Sequence, residues 1–236
     1  MSETFRAWWI DDETKGIDVV ESPVGPIHVY SWRNVLRLPQ EGSAVVLPTV
    51  STTIVVFERT LARIGLGSYA VVPGGAELIG GAGLVIQTPA YRALSQIGGP
   101  VEPTGRLAYI DGCSDSLLVC PPRIGEPCLN LLHLPPGIDQ TAHTHPSDRI
   151  GIILGGAGMC QSAGLYALRP GMCWYIPAGC VHSFHTDTDA LDVFAWHPDS
   201  DFGPSHDAHP MLNRTIVDGV PASDPRHVGI RTAPPA

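Results

Sequence analysis

An all-β protein is what this sequence predicts, from the spacing of its apolar runs, its supply of turn residues and its ratio of apolar to charged side chains. Short aliphatic and β-branched runs, punctuated by Gly and Pro, recur along the chain, each too short for a typical helix. The 236 residues include 26 glycines and 23 prolines, the turn chemistry that many short strands need. With 44% hydrophobic and 16% charged residues, the chain can bury a core for one large β domain or two small ones. In order, the runs expected as strands are Ala44–Leu47, Thr53–Phe57, Tyr69–Val72, Leu84–Gln87, Ser116–Cys120, Ile150–Leu154 and Trp174–Ile176. Tyr91–Ile97 and parts of the first 15 residues are expected as short helices, and the tail after Asp218 as a surface extension or disorder.

Charge and composition exclude several function classes. The formal net charge is −9, and the chain lacks the basic clusters that phosphate-backbone binding requires, so no nucleic acid is expected as a partner. Lys15 is the only lysine, which argues against Schiff-base and P-loop chemistry. The N-terminus carries acids where a signal peptide places a basic region, and no apolar run is long enough to span a bilayer; a cytoplasmic protein without membrane partners is expected. Cys113, Cys120, Cys128, Cys160, Cys173 and Cys180 show no C-x-x-C spacing and read as reduced packing residues. Nine of the ten histidines lie at or beyond residue 133, so the chemistry of this chain is expected in its second half.

Two segments there carry a pattern. The first contains Gly137, His143, His145, Arg149 and Gly156; the second contains Gly171, Pro177, Gly179, His182 and Thr186. Histidines two apart on a strand share a face, and a Pro–Gly turn can deliver a third from a neighbouring strand. Three neutral imidazoles leave coordination positions open on a divalent metal. The pattern resembles the cupin superfamily, whose first motif is G-x5-H-x-H-x3-4-E-x6-G and whose second is G-x5-P-x-G-x2-H-x3-N. Arg149 stands where the family has Glu, and Thr186 where it has Asn. The resemblance implies jelly-roll β-barrels and a metal at His143, His145 and His182. In the first half, Gly67, Pro73 and Gly75 repeat the second motif, with Leu78 in the place of the histidine. The chain therefore reads as two cupin-type barrels: residues 1–118, a degenerate copy without metal ligands, and residues 119–236, the metal-binding barrel with a C-terminal extension.

The missing acid bears on mechanism. A guanidinium about 5 Å from a divalent ion is repelled by roughly 6–7 kcal/mol at an effective dielectric near 20. Arg149 is thus expected to turn outward, to pair with a carboxylate such as Asp148, or to clamp an anionic ligand beside the metal. The clamp makes Arg149 the candidate catalytic residue. Three-His cupins include Fe(II) dioxygenases, so the resemblance implies one divalent transition metal, Fe(II) first and Zn, Ni, Co or Mn as alternatives. The expected function is a metalloenzyme acting on a small anionic substrate, dioxygenation first. Alternatives are a redox-neutral isomerase, lyase or rearrangement enzyme of small-molecule biosynthesis, nitrogen–nitrogen bond formation included, and a non-catalytic small-molecule sensor. A homodimer is left open. His185 is expected at the surface, His133 as a hydrogen-bonded barrel histidine, and the segment from Trp196 to Met211, with His197, His206 and His209, as a lid, a rim or a subunit contact. One of Trp174 and Tyr175 should face the barrel interior and the other away from it.

Overall fold

Each apolar run named above lies within a strand, or within one residue of its end, in the computed structural model, which describes residues 4–10, 20–21, 25–49, 52–120, 125–199, 211–212 and 214–227. Lys15, His206 and His209 lie outside the described residues, as do 200–210 of the expected lid and 228–236 of the tail. The first strands are β1 (Arg6–Trp9), β2 (His28–Arg37), β3 (Ser43–Pro48), β4 (Thr53–Phe57), β5 (Thr60–Ile64), β6 (Tyr69–Pro73), β7 (Glu77–Thr88) and β8 (Gln96–Gly98). They are followed by β9 (Leu107–Ala108), β10 (Ser114–Val119), β11 (Cys128–Leu134), β12 (Arg149–Gly156), β13 (Gly158–Gln161) and β14 (Leu165–Leu168). The last are β15 (Met172–Ile176), β16 (Ser183–His185), β17 (Leu191–His197), β18 (Ile216–Val217) and β19 (Val220–Pro221).

These strands form two seven-stranded sheets and two small ones, and all their pairings are antiparallel. In the first large sheet β6, β3, β7 and β2 are successive neighbours; in the second, β15, β12, β17 and β11 follow one another in the same way. A hairpin leads off each set, β4–β5 onto the start of β7 and β13–β14 onto β16. The two halves thus repeat one strand order. The second sheet is edged on one side by β1, from the far N-terminus, and extended on the other by β10 and β9. The boundary expected near residue 118 falls inside β10, and hydrogen bonding instead divides the sheets between β8 and β9.

Alternation explains why so many strands are apolar throughout. Val45 and Leu47 on β3, Ile150 and Ile152 on β12, Tyr175 on β15 and Phe194 and Trp196 on β17 share one core between the two large sheets. Their neighbours point the other way, Val46 into a core of the first half and Ile153, Trp174 and Val193 into a core of the second. Both faces of these strands are buried, so a period of two separates two cores rather than core from water.

Three local expectations are corrected. Tyr91–Ile97 forms no helix: Gln96–Gly98 pairs with β6 and the residues before it are irregular. Near the N-terminus, residues 6–9 are an edge strand against β15, and residues 11–15 lie outside the described residues. Where surface extension or disorder was expected beyond Asp218, the chain first makes a hairpin: Asp218 and Gly219, both at positive φ, 50° and 82°, close it between β18 and β19.

Candidate metal centre

His143 and His182 face each other across an isolated antiparallel bridge, His143 N donating to His182 O at 2.9 Å and His182 N to His143 O at 3.0 Å. Gly179 N donates to His145 O at 2.8 Å, tying the Pro177–Gly179 turn to the other ligand segment. Gly179 has φ 71°, a left-handed conformation that glycine adopts without strain. His145 is in no strand, so the shared face expected from strand geometry comes from these cross-links instead. The ring centroids lie 4.5–5.1 Å apart, and one ligand atom from each of the three histidines lies within 4.8 Å of the others.

The tautomers are set by the backbone. Nδ1 of His143 lies 2.8 Å from Thr141 O, and Nδ1 of His182 lies 3.0 Å from Cys180 O. A proton on Nδ1 that donates to a carbonyl leaves Nε2 as the lone-pair atom. Nε2 of His182 is buried and has no hydrogen-bond partner among the described residues, a cost that a metal ion would remove. Burial, with Arg149 and the neighbouring imidazoles behind it, lowers the His145 pKa to about 3. His182 is lowered to about 4, again chiefly by burial. Neutral, convergent imidazoles with one orphaned Nε2 fit a divalent transition metal. Thr141 is itself held by Asp111, whose carboxylate accepts from Thr141 N at 2.7 Å and from its hydroxyl at 3.2 Å.

The three histidines open on a pocket of about 270 Å³. Leu132, Trp174, Ile176, Phe184 and Ala195 supply its apolar wall, and Tyr109, Asp115, Asn130, Gln140, Arg149 and His197 its polar groups. Of the neighbouring aromatics, Trp174 faces this pocket and Tyr175 the core between the sheets. Arg149 does line the pocket. Its Nη1 donates to Ser147 O at 3.0 Å, Ser147 Oγ at 2.6 Å and Asp148 O at 3.0 Å. The Asp148 carboxylate is engaged elsewhere, accepting from Ala178 N at 2.9 Å and Tyr175 OH at 3.3 Å, which braces the turn before His182. Thr186, in the family's Asn position, accepts from Ile138 N at 2.9 Å and donates to Pro135 O at 2.5 Å, clamping the approach to the first motif.

A family model described as the cupin domain matches residues 130–197. The chain is a cupin-fold protein. Among solved structures this cupin resembles a Cupin 2 conserved barrel domain protein from Leptotrichia buccalis at TM-score 0.57 and 14% identity, over 84% of this chain and 98% of that one. It resembles AerE from Microcystis aeruginosa at TM-score 0.57 and 9% identity, over 83% and 97% of the two chains. A salicylate 1,2-dioxygenase from Pseudaminobacter salicylatoxidans matches at TM-score 0.53 and 12% identity, over 73% and 70%. No curated protein matches the cupin by sequence. No helix among the described residues is long and apolar enough to cross a membrane.

Other histidines fall where their partners put them. His133 pairs with Asp192 at 2.6 Å, and His185 lies 2.7 Å from Asp139 and 2.8 Å from Ser183, neither in the histidine cluster. His197 departs from the expected lid: it ends β17, is buried and lines the pocket, with Nε2 2.7 Å from Cys128 Sγ and Nδ1 against Asp199 O. All six cysteines are unbridged, and burial pushes the Cys128, Cys160 and Cys173 thiols up, Cys160 to about 12. Sequence reasoning missed Asp115, Asn130 and Tyr109. For Asp115 and Asn130 the only signal was polarity beside or inside an apolar run, where an inward polar residue marks a site; Tyr109, outside any strand, gave none.

Proposed function

We propose that this cupin is a metal-dependent enzyme acting on a small anionic metabolite, with dioxygenation at a mononuclear, three-His Fe(II) centre as its activity. One observation carries the reading: His143, His145 and His182 converge in the lining of the pocket, and the buried Nε2 of His182 has no hydrogen-bond partner among the described residues. A divalent metal bound there supplies Lewis-acid chemistry and, as iron, redox chemistry. Three neutral ligands leave its charge uncompensated, which favours an anionic substrate. Arg149, fixed by Ser147 and the Asp148 carbonyl, lines the same pocket and receives the anion. Trp174, Phe184, Leu132 and Ile176 exclude bulk water and strengthen each polar contact inside. The fold shared with a salicylate 1,2-dioxygenase supports placing oxygen chemistry first.

The same proposal takes the two halves as copies of one barrel, the first without a metal. The repeated strand order supports it, as do Gly67 (φ 73°) and Gly75 (φ 81°), which match Gly171 (φ 86°) and Gly179 (φ 71°) in the left-handed region. Leu78, where a ligand would stand, is fully buried in an apolar core.

Protein purified without oxygen is expected to carry about one transition-metal ion per chain by elemental analysis, and His182→Ala to lose it. Oxygen uptake is then measured with thiols, diketones and amino acids. Bound metal without iron and without oxygen uptake replaces dioxygenation by a redox-neutral isomerase or lyase reaction. No bound transition metal overturns the enzyme reading in favour of a small-molecule sensor.

A further inference from the structure

Asp115 is the acidic residue of the pocket lining, and metal binding and anion capture leave it unused. It sits on β10, three strands from Arg149 on β12 in the order β12-β17-β11-β10, which is roughly 14 Å around the curled sheet at the usual strand spacing. Both side chains nevertheless line the one pocket. Among the described residues the Asp115 carboxylate has one side-chain partner, the amide of Asn130, whose Nδ2 donates to its two oxygens at 2.8 and 3.0 Å. Asn130 is held in that orientation from behind, its Oδ1 lying 3.0 Å from the Cys128 thiol. Cys128 in turn lies against His197.

A half-buried carboxylate with a single neutral partner is expensive to keep, because an amide offsets only part of its lost hydration. Burial accordingly raises its pKa above the ordinary aspartate value, the Asn130 hydrogen bond opposing the rise. Each oxygen retains acceptor capacity that a ligand can use. Groups kept at a cost to stability and aimed into a pocket are where specificity is found.

We propose that Asp115 is a specificity-determining residue that receives a cationic amine, so that the pocket selects amino-acid-like zwitterions: carboxylate towards Arg149 and the histidine centre, ammonium against Asp115. This rests on the reading of the pocket as an anion-binding metal site and names the substrate class for it. Arg149 and Asp115 together discriminate twice, since an anion without an amine leaves the Asp115 carboxylate desolvated and unpaired.

The test is binding to metal-loaded protein by calorimetry, with matched pairs as probes: alanine against propionate, glutamate against glutarate, phenylalanine against 3-phenylpropionate. Wild-type protein is expected to bind the amine-bearing member of at least one pair tenfold or more tightly, and Asp115→Asn to lose that preference. Asp115→Glu, which keeps the charge, is expected to retain the sign of the preference. A merely structural Asp115 would give the same preference in Asp115→Asn as in wild type. That result, or carboxylates binding wild-type protein with no advantage to the amine, overturns the assignment while leaving the anion site intact. Binding of neither class to protein shown to hold its metal overturns the anion-site reading and this one with it.

Discussion

At the scale of single residues, the pocket keeps two imidazoles uncharged where water would let them titrate. An unfolded chain binds protons at His145 and His182 as pH falls through the ordinary imidazole value of about 6.5. The native chain does not until about pH 3 and pH 4 respectively. Between these limits the unfolded state holds more protons, so stability falls as pH falls. Metal-free protein is therefore expected to melt at progressively lower temperature from pH 7 to pH 4.5, and the double variant His145→Gln/His182→Gln to show a shallower slope; equal slopes would refute the assignment. His143, His145, His182 and Arg149 were legible in the sequence because motif spacing alone brings them together. Asp115, Asn130 and His197 were not, because they meet only through the pairing of β10, β11 and β17, which no local pattern encodes. The three outcomes foreseen for Arg149 also needed the fold: Asp148 is engaged by Ala178 and Tyr175, while Arg149 turns to the pocket.

At the scale of elements, the same turn serves both halves with different cargo. Pro177 and Gly179 lead into His182; Pro73 and Gly75 lead into Leu78. Leu78 packs with Val55, Val72 and Val85 in the core of the first half. Leu78→His is expected to cost about 2–4 kcal/mol, the loss of a buried aliphatic side chain plus an unpaired polar group, and to add no second metal by elemental analysis. Gain of a metal would mean that the first half retains a latent centre. No histidine cluster is found among the described residues of that half, where His28 lies beside Tyr30. Strands were legible where a compact aliphatic or β-branched run stood out between turn residues; β11, whose apolar run is interrupted by Asn130 and His133, was not among them. Tyr91–Ile97 misled because its helical composition is overridden by the pairing of Gln96–Gly98 with β6, a tertiary effect. The Asp218–Gly219 pair is a strong local hairpin signal and was there to be read.

At the scale of the molecule, the two sheets share a core, and this decides how the protein unfolds. Leu84 and Ile86 on β7 belong to the same buried cluster as Ile150 and Ile152 on β12 and Phe194 and Trp196 on β17. The strand that closes the second sheet, β1, comes from the N-terminus, so cutting the chain at 118 would split β10 and leave the second half without its edge. A division by sequence repeat is visible from Gly67, Pro73 and Gly75, but the crossing of β1 and the joint core are products of long-range packing. Neither half buries both faces of its central strands alone, which predicts one cooperative transition rather than two. Leu84→Ala, made in the half without the histidine cluster, removes contacts from the shared core and is expected to cost about 2–5 kcal/mol. Hydrogen exchange should report the loss equally at β3 and at β12. Protection that falls in β3 and β7 while β12 and β17 keep theirs would show two independently stable halves and refute the joint core as the source of cooperativity.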